Sequence, residues 1–139
     1  MSLIIASFGK KEIELPNQYL QDTIRKSLIS MKATRLITDY SEGWNKLVLD
    51  EARKVGLPYV GAIPYKYEGL KFDVIYNAAL SNTIFNETKK DFLNNPFPYF
   101  KWVNEYANEV FAYIDETENS FENRALKYLQ EKTVRNLYK

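Results

Sequence analysis

A three-layer α/β domain, with helices on both faces of a mostly parallel sheet, is the fold this chain predicts. Short apolar runs of strand length alternate with stretches of helical periodicity from one end of the sequence to the other. Helical stretches stop at glycine or just ahead of proline, as at Gly56-Leu57-Pro58. No internal repeat, low-complexity tract or linker divides the chain, so residues 1–139 read as a single domain with right-handed crossovers.

The elements follow in order. Residues 3–8 (LIIASF) form an apolar run ending at Gly9, long enough for a buried parallel strand and too short for a helix. Asn17 can cap a helix with apolar positions Leu20, Ile24, Leu28 and Met31. Arg35 to Thr38 is the second strand. The next helix starts near Gly43, buries Trp44, Leu47, Val48, Ala52 and Val55, and stops at Gly56. Tyr59 to Ile63 is the third strand, closed by Pro64. A helix is expected from about Leu70 to Leu80 on Phe72, Ile75, Tyr76 and Ala79, then a short strand over Thr83 to Phe85. Asn94-Asn95-Pro96 breaks the chain and opens a helix with Tyr99, Trp102, Val103 and Tyr106 on one face. Glu109 to Ile114 is a strand, a helix from about Ser120 buries Phe121, Ala125, Tyr128 and Leu129, and Thr133 to Leu137 is the last strand.

Composition removes whole classes of chemistry. The 139 residues hold no cysteine and no histidine. Disulfides, thiolate nucleophiles, Ser-His chemistry and the usual zinc ligands are therefore excluded, and no metal centre or cofactor is expected. Any catalysis must rest on carboxylates, lysines, tyrosines or backbone dipoles. A net charge of +1 supplies no overall drive toward nucleic acid or anionic membrane. No apolar run approaches the roughly 20 residues of a membrane span, and the first residues lack a signal-peptide pattern, so we expect a cytoplasmic protein.

In a parallel sheet, ligands sit beyond the carboxyl ends of the strands where strand order reverses. Three loops qualify: Ser7–Lys11, Asp39–Asn45 and Asp115–Ser120. All three are expected on one edge of the sheet. Ser7, where strand meets turn, can hydrogen-bond a ligand. Lys10 and Lys11 read either as positive charge for that ligand or as a solvated surface pair. Asp39, just past a strand, suits ribose hydroxyls. Glu42 is better read as charge complementing a helix dipole. Gly43 either lets a ligand approach the helix start or simply opens the helix. Tyr40 and Tyr65, at strand exits, are the candidates for stacking on a base. The aromatic run around Tyr99, Trp102 and Tyr106 reads as core or subunit packing, which, with the helix around Phe72–Tyr76, points to a homo-oligomer.

Several short blocks carry a resemblance: Ser7-Phe8-Gly9-Lys10; Asp39-Tyr40-Ser41-Glu42-Gly43-Trp44-Asn45; Glu51-Ala52; Gly56-Leu57-Pro58; Ala62-Ile63-Pro64-Tyr65; and Ala107 to Asp115 (ANEVFAYID). In these the chain resembles the Rossmann-like SLOG (SMF/DprA-LOG) superfamily, closest to the small phage and Bacillus proteins of the YpsA/YoqJ type. The resemblance implies a nucleotide or nucleoside derivative bound by Ser7, Gly9, Lys10, Asp39, Tyr40, Ser41, Gly43, Asn45 and Tyr65. It also implies a runner-up activity. Nucleoside deoxyribosyltransferases and LOG-type phosphoribohydrolases, of similar architecture, place a helix-borne glutamate on the anomeric carbon. Glu122 and Asp115 are the matching carboxylates, for N-glycosidic cleavage or transfer. A third reading is a structural oligomer with a degenerate pocket. DNA binding of the DprA kind is disfavoured by the absence of a basic stripe. Departures from the family pattern fall at the ligand loops. Asp39 replaces a glycine, Asn45 an aspartate, and Glu116-Thr117-Glu118-Asn119-Ser120 a Gly-Gly-Thr turn.

Overall fold

The computed structural model describes residues 2–14, 17–68, 70, 80–129 and 132–138. Six strands, β1 (Ile4–Gly9), β2 (Arg35–Thr38), β3 (Tyr59–Ile63), β4 (Asn82–Ile84), β5 (Glu109–Tyr113) and β6 (Thr133–Asn136), form one sheet in the order β4-β3-β2-β1-β5-β6. Every pairing is parallel, with Ala6 of β1 opposite Ile37 of β2 on one side and Val110 of β5 on the other. The α/β expectation holds, and the sheet among the described residues is wholly parallel. Since β1, β2 and β5 are parallel, their following loops open on one edge. Strand order reverses between β1 and β5.

Five helices flank the sheet among the described residues: α1 (Gln18–Met31), α2 (Trp44–Lys54), α3 (Lys89–Asn94), α4 (Phe97–Tyr106) and α5 (Phe121–Ala125). The Asn17 side chain accepts from Leu20 N at 3.0 Å, which satisfies one of the orphan donors at the start of α1. Leu20, Ile24 and Leu28 are the buried stripe of that helix. The helix expected from Leu70 to Leu80 falls on residues 71–79, outside the described residues. The helix expected from Ser120 is shorter than its periodicity implied. It runs as α5 for five residues and then tightens into a 3-10 turn over Leu126–Leu129. Helix α3 was not foreseen.

Alternation along the strands builds two cores. Ile5, Leu36, Tyr59 and Phe111 point to the face covered by α1 and α2. Their neighbours Ala6, Ile37, Val60, Ala62, Val110 and Ala112 point to the face covered by α3, α4 and α5. That second face carries alanine at three strand positions, and the room this leaves is taken by Phe92, Tyr99 and Phe100 from the helices. On the first face, fully buried Glu51 of α2 meets Arg25 of α1 at 2.9 Å and Lys54 at 2.7 Å, an ion-pair set that ties the two helices together.

Candidate functional site

A cleft of about 360 Å³ lies over the carboxyl ends of β1, β2 and β3 on the aromatic face of the sheet. Strand exits contribute Phe8, Gly9, Asp39, Pro64 and Tyr65, and helices α3 to α5 contribute Lys89, Phe92, Tyr99, Phe100, Phe121, Glu122 and Arg124. Its size is within the roughly 300–1,000 Å³ of small-molecule sites. The wall is an aromatic cluster centred on Phe92, which packs on Tyr65, Tyr99 and Phe121 with ring centroids 5.7, 5.7 and 5.8 Å away.

The polar part of the cleft is built by the turn after β2. Asp39 is buried, and its Oδ1 accepts three hydrogen bonds: from Ser41 N (2.9 Å), Ser41 Oγ (2.6 Å) and Asn45 Nδ2 (2.7 Å). Asn45, on the first turn of α2, also donates from Nδ2 to Ser41 Oγ at 3.1 Å. The carboxylate thereby fixes the amide orientation, with nitrogen toward Asp39. Asn45 is 4% exposed, and its Oδ1 is buried with no hydrogen-bond partner among the described residues. Nor does any described donor meet Oδ2 of Asp39. Asp39 Oδ2 is thus an acceptor left to solvent or a ligand, and Asn45 Oδ1 is a buried acceptor that the fold leaves unpaired, at a cost of about 1–3 kcal/mol.

Two phenols reinforce this polarity. Burial and the nearby Asp39 charge push the Tyr99 hydroxyl well above its usual pKa, so it remains a neutral donor. Tyr67 is raised by the same two causes, and its hydroxyl donates to the Asp39 carbonyl at 2.7 Å.

Of the residues nominated by the sequence, Gly9, Lys11, Asp39, Asn45, Tyr65 and Glu122 line this one cleft. Ser41 serves it indirectly, by holding Asp39. The others are placed in contacts of the fold. Ser7 is buried with its hydroxyl toward the Ile37 carbonyl at 3.5 Å. Lys10 pairs with Glu118 at 3.2 Å and lies over the Tyr138 ring, and the Glu118 hydrogen bond raises its pKa. The Tyr40 hydroxyl donates to Asn82 Oδ1 at 2.6 Å, and its ring packs edge-on against Tyr59. Asp115 accepts from the Thr117 hydroxyl and backbone N–H at 2.6 and 2.9 Å, and these bonds lower its pKa.

Gly43 is held in the left-handed region, with φ of 84°, and a Cβ there would come within 2.4 Å of the Lys10 and Lys11 carbonyl oxygens. The same chain segment uses the start of α2, where Trp44 N donates to Lys10 O at 2.9 Å. A Cβ on Gly9 would meet the Trp44 ring and the Tyr113 carbonyl, each at 2.8 Å. Both glycines are required by the way β1, its loop and α2 pack together.

Sequence reasoning missed the α3 wall, with Lys89 and Phe92, and it missed Phe121 and Arg124 of α5 as cleft residues. One signal was present: Thr88 caps α3 by accepting from Asp91 N at 3.1 Å, a serine/threonine-x-x-acid spacing readable in the sequence. The helix around Tyr99 was read as packing, and Tyr99, Phe100 and Val103 are indeed buried. Tyr106 is not, at 54% exposed.

Among the described residues no helix is long and apolar enough to cross a membrane, and no group of three or more acidic, histidine or cysteine side chains is placed to hold a metal ion. No protein-family model matches the chain, and no curated protein matches it either. Solved structures do. DNA processing protein A (DprA) from Streptococcus pneumoniae superposes with a TM-score of 0.65 over 97% of this chain at 10% identity. The chain spans about half of that protein, 50% of its length. The Moco carrier protein from Chlamydomonas reinhardtii gives a TM-score of 0.56 at 15% identity, over 99% of this chain and 76% of that one. TM1055, a structural-genomics target, gives 0.49 at 16% identity over 80% of this chain and 60% of that one. At these identities the likeness is one of fold: the chain has the Rossmann-like α/β architecture of DprA and the Moco carrier protein.

Proposed function

We propose that this protein binds a nucleotide or nucleoside derivative in the cleft beside Asp39, as a SLOG-like protein of the YpsA/YoqJ type. The observation that carries the reading is the pairing of an aromatic wall with the Asp39 carboxylate, whose Oδ2 no described donor meets, beside the unpaired Asn45 Oδ1. A planar base suits the rings around Phe92. Ribose hydroxyls, which are donors, suit the free oxygen of the Asp39 carboxylate. Gly9 and Tyr65 complete the wall, and Ser41 holds the carboxylate in place. Ser7, Lys10, Tyr40 and Gly43 support the site through the fold. The protein acts as a cytoplasmic homo-oligomer, and light scattering that finds only monomer at high concentration would count against that part.

Thermal-shift measurements across nucleotides, cyclic dinucleotides and ADP-ribose derivatives test the binding claim, since a ligand selective for the native state raises the transition temperature. For any that binds, Asp39→Ala is expected to weaken affinity by about 1–3 kcal/mol through the lost hydrogen bond. A panel without a single shift would end the reading.

One observation favours a second activity. Glu122 lines the same cleft and has no partner among the described residues, so its carboxylate is available to an anomeric carbon. Asp115, bound by Thr117, would act on the electrostatics alone. Release of free base by the wild type, lost in Glu122→Gln with nucleotide binding kept, would establish N-glycosidic cleavage.

A further inference from the structure

We infer that the cleft holds its ligand's phosphate on three side chains, Lys11, Lys89 and Arg124, and therefore selects nucleotides over nucleosides. This rests on the nucleotide reading above and adds where the anion goes.

The usual place for phosphate in a parallel α/β fold is a helix N-terminus beyond a strand, where free backbone N–H groups point outward. Here that place is filled by the chain itself. The first N–H of α2, on Trp44, donates to the Lys10 carbonyl, and the space over Gly43 is occupied by the carbonyl oxygens of Lys10 and Lys11. These oxygens present negative partial charge where an anion would need positive. The loop after β5 is no better, since it carries Asp115, Glu116 and Glu118, and Lys10 is already engaged by Glu118.

Positive charge is supplied elsewhere. Lys11 comes from the loop after β1, Lys89 from the first position of α3 and Arg124 from α5, and all three reach the lining of the one cleft. Among the described residues neither Lys11 nor Lys89 has an acidic partner. Lys46, Lys54 and Lys66 do, with Asp50, Glu51 and Glu87. Arg124 is held by a neutral group, donating from Nη1 to Asn119 Oδ1 at 2.8 Å, which positions the guanidinium and leaves its charge uncompensated. Three cations face two carboxylates, Asp39 and Glu122, in the lining, so the cleft is net positive while the chain as a whole is nearly neutral. The three are exposed, at the rim, whereas the interior is aromatic. A ligand therefore enters base-first and keeps its phosphate at the mouth. There the attraction is partly screened by salt.

The test is calorimetric titration of the full chain with adenosine, guanosine, cytidine and uridine and with their 5′-monophosphates. For the base that binds, the phosphate is expected to tighten binding by about tenfold or more, as charge-assisted contacts do. Raising salt should erase most of that gain and leave the nucleoside's affinity unchanged. The variant Lys11→Gln/Lys89→Gln/Arg124→Gln should bind the nucleoside normally and lose the phosphate preference. Its substitutions are all at exposed positions, and its melting temperature checks the fold. If the variant does not fold, the wild-type phosphate gain and its salt dependence decide alone. Equal affinities for nucleoside and nucleotide in the wild type would overturn the inference and leave the nucleotide-site reading standing. A phosphate gain that survives in the variant would do the same. Binding of neither class would remove the nucleotide-site reading and this inference with it.

Discussion

The two faces of the sheet are made from the same strands and do different work. On the α1/α2 face, Trp44 sits fully buried, stacked 5.1 Å from Tyr113, with its indole N–H on the Phe111 carbonyl at 3.0 Å. Even the charge there is internal, since Glu51 is closed off between Arg25 and Lys54. On the α3–α5 face, alanines at Ala6, Ala62 and Ala112 draw the aromatic side chains inward, and the rings leave a cleft at the strand ends. The first face closes its buried carboxylate and its indole N–H within the chain. The other retains acceptors and cations that the chain does not satisfy. The proposed binding site is where those acceptors and cations meet, at strand ends where strand order and helix length together leave the packing incomplete.

The largest expected effect breaks the closed face. Trp44→Ala should cost about 3–5 kcal/mol, by loss of transfer energy and creation of a cavity that rigid neighbours cannot fill. The Phe111 carbonyl also loses its donor. Phe92→Ala removes a ring that is equally buried yet borders the cleft, so its surroundings can relax into open space. We expect about 2–3 kcal/mol there, nearer the low end for large-to-small changes. Equilibrium urea unfolding of both variants makes the comparison, and equal losses would show that the cleft wall is as rigid as the core.

Most of the closed face was legible in the sequence. Asn17, the Leu20-Ile24-Leu28 stripe and the Trp44-Leu47-Val48-Ala52 stripe announce their helices by cap and period, and β2 and β3 begin and end where their apolar runs do. The open face was harder to read. Helix α3 is six residues with a single buried side chain, Phe92, too short to show a period. Lys89 and Arg124 look like ordinary surface charge until the fold brings them to one cleft. Gly43 illustrates the opposite difficulty. A glycine before a helix reads equally as ligand approach or as chain packing, and only the position of the Lys10 and Lys11 carbonyls distinguishes them. Tyr40 likewise stood at a strand exit as a stacking candidate, and the Asn82 side chain across the sheet could not be anticipated from local pattern.

The difference between the faces also has a pH signature. Tyr67 and Tyr99, both near Asp39, have their pKa values raised above the usual 10.0 by burial first and by the Asp39 charge second. Up to about pH 10 both states hold these protons, and the stability is fully present. Above it the unfolded chain releases protons that the native state retains, so stability falls as pH rises, by about 1.4 kcal/mol per pH unit for each phenol. Tyr99→Phe should flatten the alkaline slope by one phenol's share. Unfolding midpoints measured at half-unit steps between pH 9 and 11.5 would show it. An unchanged slope would mean that Tyr99 opens to solvent in the native state.

The smallest effect separates the faces most cleanly, because it uses the same chemistry on both. Asn17 caps α1 and Thr88 caps α3, each side chain accepting from a backbone N–H at 3.0 and 3.1 Å. Replacing either by alanine removes a cap worth about 1 kcal/mol. In α1 the loss falls on fourteen residues anchored by Leu20, Ile24 and Leu28, so it is shared with the whole fold. Asn17→Ala should lower global stability by about 1 kcal/mol and leave ligand binding untouched. In α3 only Phe92 anchors the helix, so local opening is cheaper than unfolding the chain. Thr88→Ala should therefore leave the urea midpoint nearly unchanged, speed hydrogen exchange across residues 89–94, and weaken nucleotide binding several-fold, because Lys89 and Phe92 are in place only while the helix is formed. Should Thr88→Ala instead lower the midpoint as much as Asn17→Ala does and leave binding intact, α3 would belong to the global fold, and the cleft would not depend on it.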